Sequence, residues 1–258
     1  MSDILTALNN VSKAPECLIA FDRDGTLVPY AETPEKALAT PKVKRLLTDL
    51  AALDGVQVAL ISARSVAQLQ GDTKSAPIIL AGNYGLEILF PSGKRIIEPR
   101  AAAAVPALKQ LRDALFSSLV MCRGIILEDH GYSLCLHWHL VSLADRELLH
   151  EQVKTVSSDF SAVEVVERPT SYEFLPAFKW SKSDALDLIN SNLEVVPVEY
   201  FYAGDTEADI SAFEWVNQHK GITIRVGEDD NLCAQFRVPT PDALYDVVEY
   251  VIRRRVNS

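Results

Sequence analysis

The strongest constraint on this chain is a run of five apolar residues, Cys17–Phe21, that stops abruptly at Asp22-Arg23-Asp24-Gly25-Thr26-Leu27. An unbroken apolar run of this length, without alternation, is the pattern of a strand buried on both faces in a parallel sheet. Residues carrying chemistry then begin at its carboxyl end, where open parallel sheets bind ligands. In extended geometry Asp22 and Asp24 point to one side, roughly 6 to 7 Å apart, and Arg23 points away. One carboxylate can attack while the other handles a proton at a leaving oxygen. Gly25 lets the backbone turn sharply, and Thr26 can hydrogen-bond within that turn. Taken alone, the pair is equally compatible with an ordinary acidic turn.

The rest of the chain extends this pattern. Thr40-Pro41 supplies a helix cap and a first-turn proline, followed by Val43, Leu46, Leu47 and Leu50 on one helical face. Asp54-Gly55 leads to a predicted strand over 57–61, then Ser62, a short helix over 66–70, and a strand over 78–80 that ends in Gly82-Asn83-Tyr84-Gly85. From 92 to 180 the rhythm changes to helix (101–119), strands (125–128 and 132–140), helix (143–160) and strands (163–167 and 172–175). Turns at His130-Gly131 and 168–171 make the strand pairs antiparallel hairpins. After 180 the alternation resumes with a helix over 183–190 and strands over 199–203 and 222–226. The expected fold is α/β: a Rossmann-like parallel-sheet core from 1–91 and 181–258, interrupted by an α+β cap domain over 92–180.

Composition excludes several functions. The chain has 258 residues, 48% hydrophobic, with 35 acidic against 25 basic side chains and a net charge of −10. Such a charge repels polyanions and acidic membrane surfaces, so neither nucleic acid nor membrane is an expected partner. The basic run Arg253-Arg254-Arg255 closes an apparent C-terminal helix, where positive charge suits the dipole. No apolar stretch reaches bilayer length, and the N-terminus lacks the basic and apolar regions of a secretory signal, so a cytoplasmic location is expected. Cys17, Cys122, Cys135 and Cys233 lie far apart, mostly in apolar stretches, and are expected to be reduced packing residues.

Asp22-Arg23-Asp24-Gly25-Thr26-Leu27 resembles the first motif of the haloacid dehalogenase superfamily of phosphatases. Ser62 stands where the second motif requires Ser or Thr, Lys182 where the third requires a lysine near a helix start, and Gly204-Asp205-Thr206-Glu207-Ala208-Asp209 fits the fourth. The resemblance implies Asp22 as nucleophile, forming an aspartyl phosphate. It implies Asp24 as the acid and base, with a carboxyl raised by burial and a neighbouring carboxylate. Ser62 and Lys182 are then the phosphoryl anchors. It also implies Mg2+ as cofactor, held by the Asp22 carboxylate, the Asp24 carbonyl and the Asp205 carboxylate, with Asp209 in or next to the shell.

Only the 39 residues of 23–61 separate Asp22 from Ser62, so no helical cap fits there, and the insertion falls later in the chain. Nearly the whole chain is similar to the trehalose-6-phosphate phosphatase family, through Asp22 to Pro29, Ile61 to Ser65, Gly82 to Glu87, Glu128 to His137 and Ile224 to Gly227. That resemblance implies a phosphoric monoester hydrolase acting on a small sugar phosphate, in the first place trehalose 6-phosphate, which it would convert to trehalose and phosphate. It assigns substrate contacts to Arg64, Asn83, Tyr84, Glu87, Glu128, His130, His137, His139 and Glu173. Against the family pattern Ala63 replaces a glycine, Tyr84 a histidine, His130 a lysine and His139 an arginine. Another sugar or glycosyl phosphate as substrate, and a non-catalytic sugar-phosphate sensor, are the alternatives. His137 and His139, alternating on one predicted strand, also suggest a zinc site with His130; polar residues facing a cleft are the preferred reading. No motif points to an obligatory protein partner.

Overall fold

The structure, a computed structural model, describes residues 2–73, 76–228 and 233–257. In chain order it runs α1 (Ser2–Lys13), β1 (Cys17–Phe21), α2 (Pro41–Ala51), β2 (Val56–Ile61), α3 (Val66–Thr73), β3 (Ile79–Gly82), β4 (Glu87–Leu89) and β5 (Arg95–Ile97). Next come α4 (Pro99–Ser118), β6 (Ile126–Asp129), β7 (Leu134–His137), α5 (Leu143–Ser157), β8 (Val163–Glu167) and β9 (Ser171–Pro176). The chain closes with α6 (Lys182–Asn190), β10 (Glu199–Gly204), α7 (Ile210–Gln218), β11 (Ile222–Val226), β12 (Phe236–Val238) and α8 (Pro241–Val256). It divides into two compact units, Met1–Ile96 with Trp180–Ser258, and Ile97–Lys179.

The first unit is built on a sheet of order β12-β11-β10-β1-β2-β3-β4-β5, parallel from β12 to β3, with β4 antiparallel to β3. β1 is central, and its continuous apolar run follows from cover on both faces. Cys17, Ile19 and Phe21 pack with Leu8 of α1, Leu47 of α2 and Val247 of α8, while Leu18 and Ala20 pack with Leu186 of α6 and Phe213 of α7. Caps start the flanking helices as the sequence indicates. Thr40 Oγ1 accepts the Val43 N–H at 3.3 Å ahead of α2, and Thr240 does the same for Ala243 ahead of α8. In register Phe21 pairs Leu60 on one side and Ala203 on the other. This alignment brings the residues that follow β1, β2 and β10, namely Asp22, Ser62 and Asp205, to one edge of the sheet.

The inserted unit is an antiparallel sheet of order β6-β7-β9-β8 with α4 and α5. Strand alternation sorts its faces. Leu134, Leu136, Tyr172 and Phe174 bury against Leu111 and Leu115 of α4 and Leu149 and Val153 of α5. The intervening residues Cys135, His137 and Glu173, with Glu128 opposite Cys135, form the other face. The strand expected over 132–140 is shorter. β7 ends at His137, where Trp138 N–H turns to donate to the Thr170 carbonyl and Val141 N–H closes a turn onto Trp138. His139 therefore does not continue the strand as expected. Among the described residues no helix is long and apolar enough to cross a membrane.

Candidate active site

Asp22 follows β1 directly, its N–H held by the Ala203 carbonyl at 2.8 Å. Lys182, the first residue of α6, is placed by a capping arrangement in which the Ser181 N–H and hydroxyl both donate to the Asp184 carboxylate, at 2.8 and 2.7 Å. Its buried Nζ donates to Asp22 Oδ1 and to Asp209 Oδ1, both at 2.6 Å. Tyr202 OH donates to the same Asp209 oxygen at 2.6 Å. Asp209 Oδ2 accepts the N–H groups of Asp205 and Thr206 at 3.0 Å each, and the Thr206 hydroxyl at 3.3 Å. Both oxygens of Asp209 are thus occupied in holding Lys182 and the loop that carries Asp205.

Two glycines permit the close approaches around these acids. Gly25 has φ +82°, and a Cβ there would stand 1.9 Å from Asp205 Oδ2; at Gly204 a Cβ would meet Asp209 Cγ at 2.3 Å. Asp205 also accepts hydrogen bonds from Thr26 Oγ1 at 3.3 Å and Tyr30 OH at 2.8 Å, and its carbonyl accepts from Arg225.

The carboxylates of Asp22, Asp205 and Asp209 offer oxygens within 4.8 Å of one another. Burial, with the charges of Asp209 and Asp205, pushes the Asp22 carboxyl well above the usual range despite Lys182. Burial and Asp209 push Asp205 up to about 6. Burial alone would raise Asp209 too, but Lys182 and Tyr202 hold it below the usual range. Burial would lower the Lys182 ammonium, yet Asp209 and Asp22 more than offset it and raise it. With all three ionised, the carboxylates outweigh this one ammonium by two negative charges, the complement of a divalent cation bound through oxygen donors.

Asp24 corrects the geometry expected from the sequence. β1 ends at Phe21, and residues 22–24 enter a tight turn in which the Gly25 N–H donates to the Val28 carbonyl at 2.7 Å. The Asp24 carboxylate is held by Arg64, Nε to Oδ2 at 2.7 Å and Nη2 to Oδ1 at 2.9 Å, and by Arg23 Nη1 at 2.6 Å. Its partners are two guanidiniums, not the neighbouring carboxylate that was expected to act on it. Arg23 does not point away: its long side chain folds back to Asp24 while Nε and Nη2 bind the buried Asp72 at 2.6 and 3.2 Å.

Ser62, buried after β2, accepts the Arg64 N–H on Oγ at 3.2 Å. The Asn83 and Tyr84 N–H groups donate to the carbonyls of Arg64 and Ser62 at 2.9 and 2.8 Å, with both residues at positive φ (51° and 58°). The fold thereby brings Asp22, Asp24, Ser62, Arg64, Asn83, Tyr84, Lys182, Asp205 and Asp209 into one set of contacting loops. Glu87 is engaged elsewhere, on β4, by Arg95. In the inserted unit Glu128, His130 and His137 lie together: Glu128 Oε2 is 2.9 Å from His137 Nε2, and Oε1 is 3.6 Å from His130 Nε2. The His139 ring meets that of His137 edge-on at 6.1 Å, and Glu173 accepts from Arg168 at 3.0 and 3.2 Å.

A family model described as trehalose-phosphatase matches residues 20–238. The chain belongs to the trehalose-phosphatase family. As a trehalose-phosphatase family member it is a phosphoric monoester hydrolase. It is similar to trehalose-phosphate phosphatase B of Arabidopsis thaliana, 25% identical over 261 residues that cover 94% of this chain and 68% of that protein. Among solved structures it is similar to the C-terminal domain of the C. albicans trehalose-6-phosphate phosphatase (TM-score 0.82, 18% identity, 97% of each chain). A haloacid dehalogenase-like hydrolase from Bacteroides thetaiotaomicron is also similar (TM-score 0.64, 16% identity, 92% of this chain and 99% of that one). The fold is accordingly the haloacid dehalogenase type of α/β fold expected from the motifs.

In this trehalose-phosphatase family member, several residues that touch or support candidate site residues were missed in the sequence. Tyr202 reads as an apolar strand residue, and only the structure turns its hydroxyl to Asp209. Asp72 lies 49 residues from its partner Arg23. Cys135 is not packed in an apolar core as expected: its Sγ lies 3.4 Å from His137 Nε2. The alternation of β7 with Leu134 and Leu136 inward was the available signal.

Proposed function

We propose that this chain hydrolyses a sugar phosphate, in the first place trehalose 6-phosphate, to the free sugar and phosphate, with Mg2+ and through an aspartyl phosphate. The observation that carries the reading is the Lys182 ammonium held 2.6 Å from both Asp22 and Asp209, at the ends of parallel strands. The family membership and the names of its relatives point to the same substrate.

In this reading an oxygen of Asp22 attacks phosphorus as the bond to the sugar oxygen breaks, and Lys182 and Ser62 bind the equatorial oxygens. Asp24 gives the leaving oxygen its proton and later takes one from the attacking water, which releases phosphate and restores Asp22. Its clasp by Arg64 and Arg23 has to loosen for this, because both carboxylate oxygens are taken by the two guanidiniums. The residues that would hold magnesium are Asp22 and Asp205 through carboxylates and Asp24 through its carbonyl. Asp209 stands beside them, since its oxygens are taken by Lys182, Tyr202 and backbone N–H groups. Bound there, the ion supplies the positive charge that lets a phosphate dianion approach an acidic cluster.

Glu128, His130, His137, His139 and Glu173 of the inserted unit are the proposed sugar contacts, with Asn83, Tyr84 and Glu87 of the first unit. The test is phosphate release across a panel of sugar phosphates with magnesium. Fastest turnover on trehalose 6-phosphate supports the reading. Preference for another sugar or glycosyl phosphate retains the chemistry and replaces the substrate, and no release from any sugar phosphate rejects the sugar-phosphate reading.

A further inference from the structure

On the polar face of the inserted sheet, β6 and β7 pair Glu128 directly opposite Cys135, and His137 follows two residues along on the same face. Their donor atoms converge. His137 Nε2 lies 2.9 Å from Glu128 Oε2 and 3.4 Å from Cys135 Sγ, and all three atoms fall within 4.8 Å of one another. His130, at the turn between the two strands, brings its Nε2 to 3.6 Å from the other Glu128 oxygen.

This is not the layout of a nucleophilic relay. A histidine that activates a thiol uses one ring nitrogen for the thiol and the other for the orienting carboxylate. Here thiol and carboxylate meet the same nitrogen. A carboxylate oxygen, a thiol sulfur and an imidazole nitrogen facing one point is the arrangement of ligands around a cation. With metal–sulfur bonds of about 2.3 Å and metal–nitrogen or metal–oxygen bonds of about 2.0 Å, tetrahedral ligand atoms stand about 3.3 to 3.6 Å apart. The 3.4 Å sulfur–nitrogen separation is in that range, and the 2.9 Å nitrogen–oxygen pair needs only to open slightly.

We propose that Glu128, Cys135 and His137, with His130 beside Glu128, bind a zinc-class divalent ion. The mixed sulfur, nitrogen and oxygen donors select such an ion over magnesium, which takes oxygen alone. On loading, Cys135 releases its proton to solvent and coordinates as thiolate, so that one thiolate and one carboxylate balance the two positive charges. The site is separate from the acidic cluster around Asp22. It goes beyond the phosphatase reading and shares with it only the side chains proposed to touch sugar, so ion and sugar compete for Glu128.

The test is titration of the reduced, metal-free full chain with cobalt(II), which accepts the same donors and reports on them by absorption. The expected result is thiolate-to-cobalt charge transfer and the strong visible bands of a tetrahedral ion, saturating near one equivalent and persisting in excess magnesium. Cys135→Ser loses the charge-transfer band, His130→Ala and His137→Ala weaken binding about 10-fold or more, and Asp22→Asn leaves the spectrum unchanged. Should Cys135→Ser not fold, alkylation of the wild-type chain decides: zinc shields Cys135 and leaves the exposed Cys233 reactive. No charge-transfer band, a band that survives Cys135→Ser, or equal labelling of Cys135 with and without zinc overturns the proposal. None of these readouts uses turnover, so their failure is distinct from failure of the phosphatase reading.

Discussion

Lys182 Nζ stands 2.6 Å from Asp209 Oδ1, and the second oxygen of that carboxylate binds the N–H groups of Asp205 and Thr206. One buried acid therefore fixes both the cation beside Asp22 and the loop that carries the next carboxylate. Removing it leaves the buried ammonium with Asp22 alone and deprives two amide donors of their acceptor. Asp209→Ala is expected to lower stability by about 3 to 5 kcal/mol in denaturant unfolding, the cost of breaking a buried ion pair from one side. Tyr202→Phe removes one hydrogen bond to the same oxygen and should cost about 1 kcal/mol. Equal losses in the two variants would show that the Lys182 contact is not what holds this loop.

Asp22→Asn should abolish turnover while the circular dichroism spectrum stays that of the wild type. The amide matches the carboxylate in shape but cannot form the aspartyl phosphate. Activity above about a tenth of wild type would exclude Asp22 as the nucleophile. Asp24→Asn should be impaired most where the leaving oxygen is a poor one, as in a sugar phosphate, and least in the first step with an activated aryl phosphate. Equal loss on both esters would assign Asp24 to the turn, through Arg64 and Arg23, and not to the proton.

How far the sequence can be read follows from how local each signal is. β1 is legible because both its faces are covered, so Leu18 and Ile19 are apolar alike. Ser62 and Asp205 follow from the same logic, each ending a buried parallel strand in register with it. β4, β5 and β12 have three residues each, too few to show a period. In α1, Ile4, Leu8 and Val11 do keep helical spacing. Side-chain contacts are the least legible. Arg23 sits between two acids in sequence, yet its direction is set by Asp72, far along the chain. Cys135 lies in an apolar stretch, and only its register opposite Glu128 puts it on the polar face.

Magnesium should stabilise the protein more at pH 7.5 than at pH 5. Asp205 is raised from 3.8 to about 6 in the fold. A carboxyl raised in this way favours the folded state below its ordinary value, and loses that contribution as pH climbs through about 6. The metal-free protein therefore carries its unrelieved charge above pH 6, and there a cation has the most to offset. Thermal unfolding with and without magnesium, followed across this range, should show the difference in midpoint widening by several degrees from pH 5 to 7.5. Asp205→Asn should flatten it. A constant difference would mean that the ion does not bind at Asp205.

Substitution of Glu173 tests recognition of the sugar apart from the chemistry at phosphorus. It lies on β9 opposite Cys135, its carboxylate within the polar face and bound to Arg168 at 3.0 Å. In the proposed function it accepts hydrogen bonds from sugar hydroxyls. Loss of one such charged hydrogen bond is worth on the order of 1.5 to 3 kcal/mol, so Glu173→Ala should lower kcat/KM for the sugar phosphate by about 10-fold or more. Glu173→Gln, which keeps one acceptor oxygen, should lose less. A small aryl phosphate has no hydroxyls to offer, and its hydrolysis should be unchanged in both variants. If both substrates decline in parallel, Glu173 serves the inserted unit's own folding through Arg168, and the sugar contact has to be sought on other residues of that face.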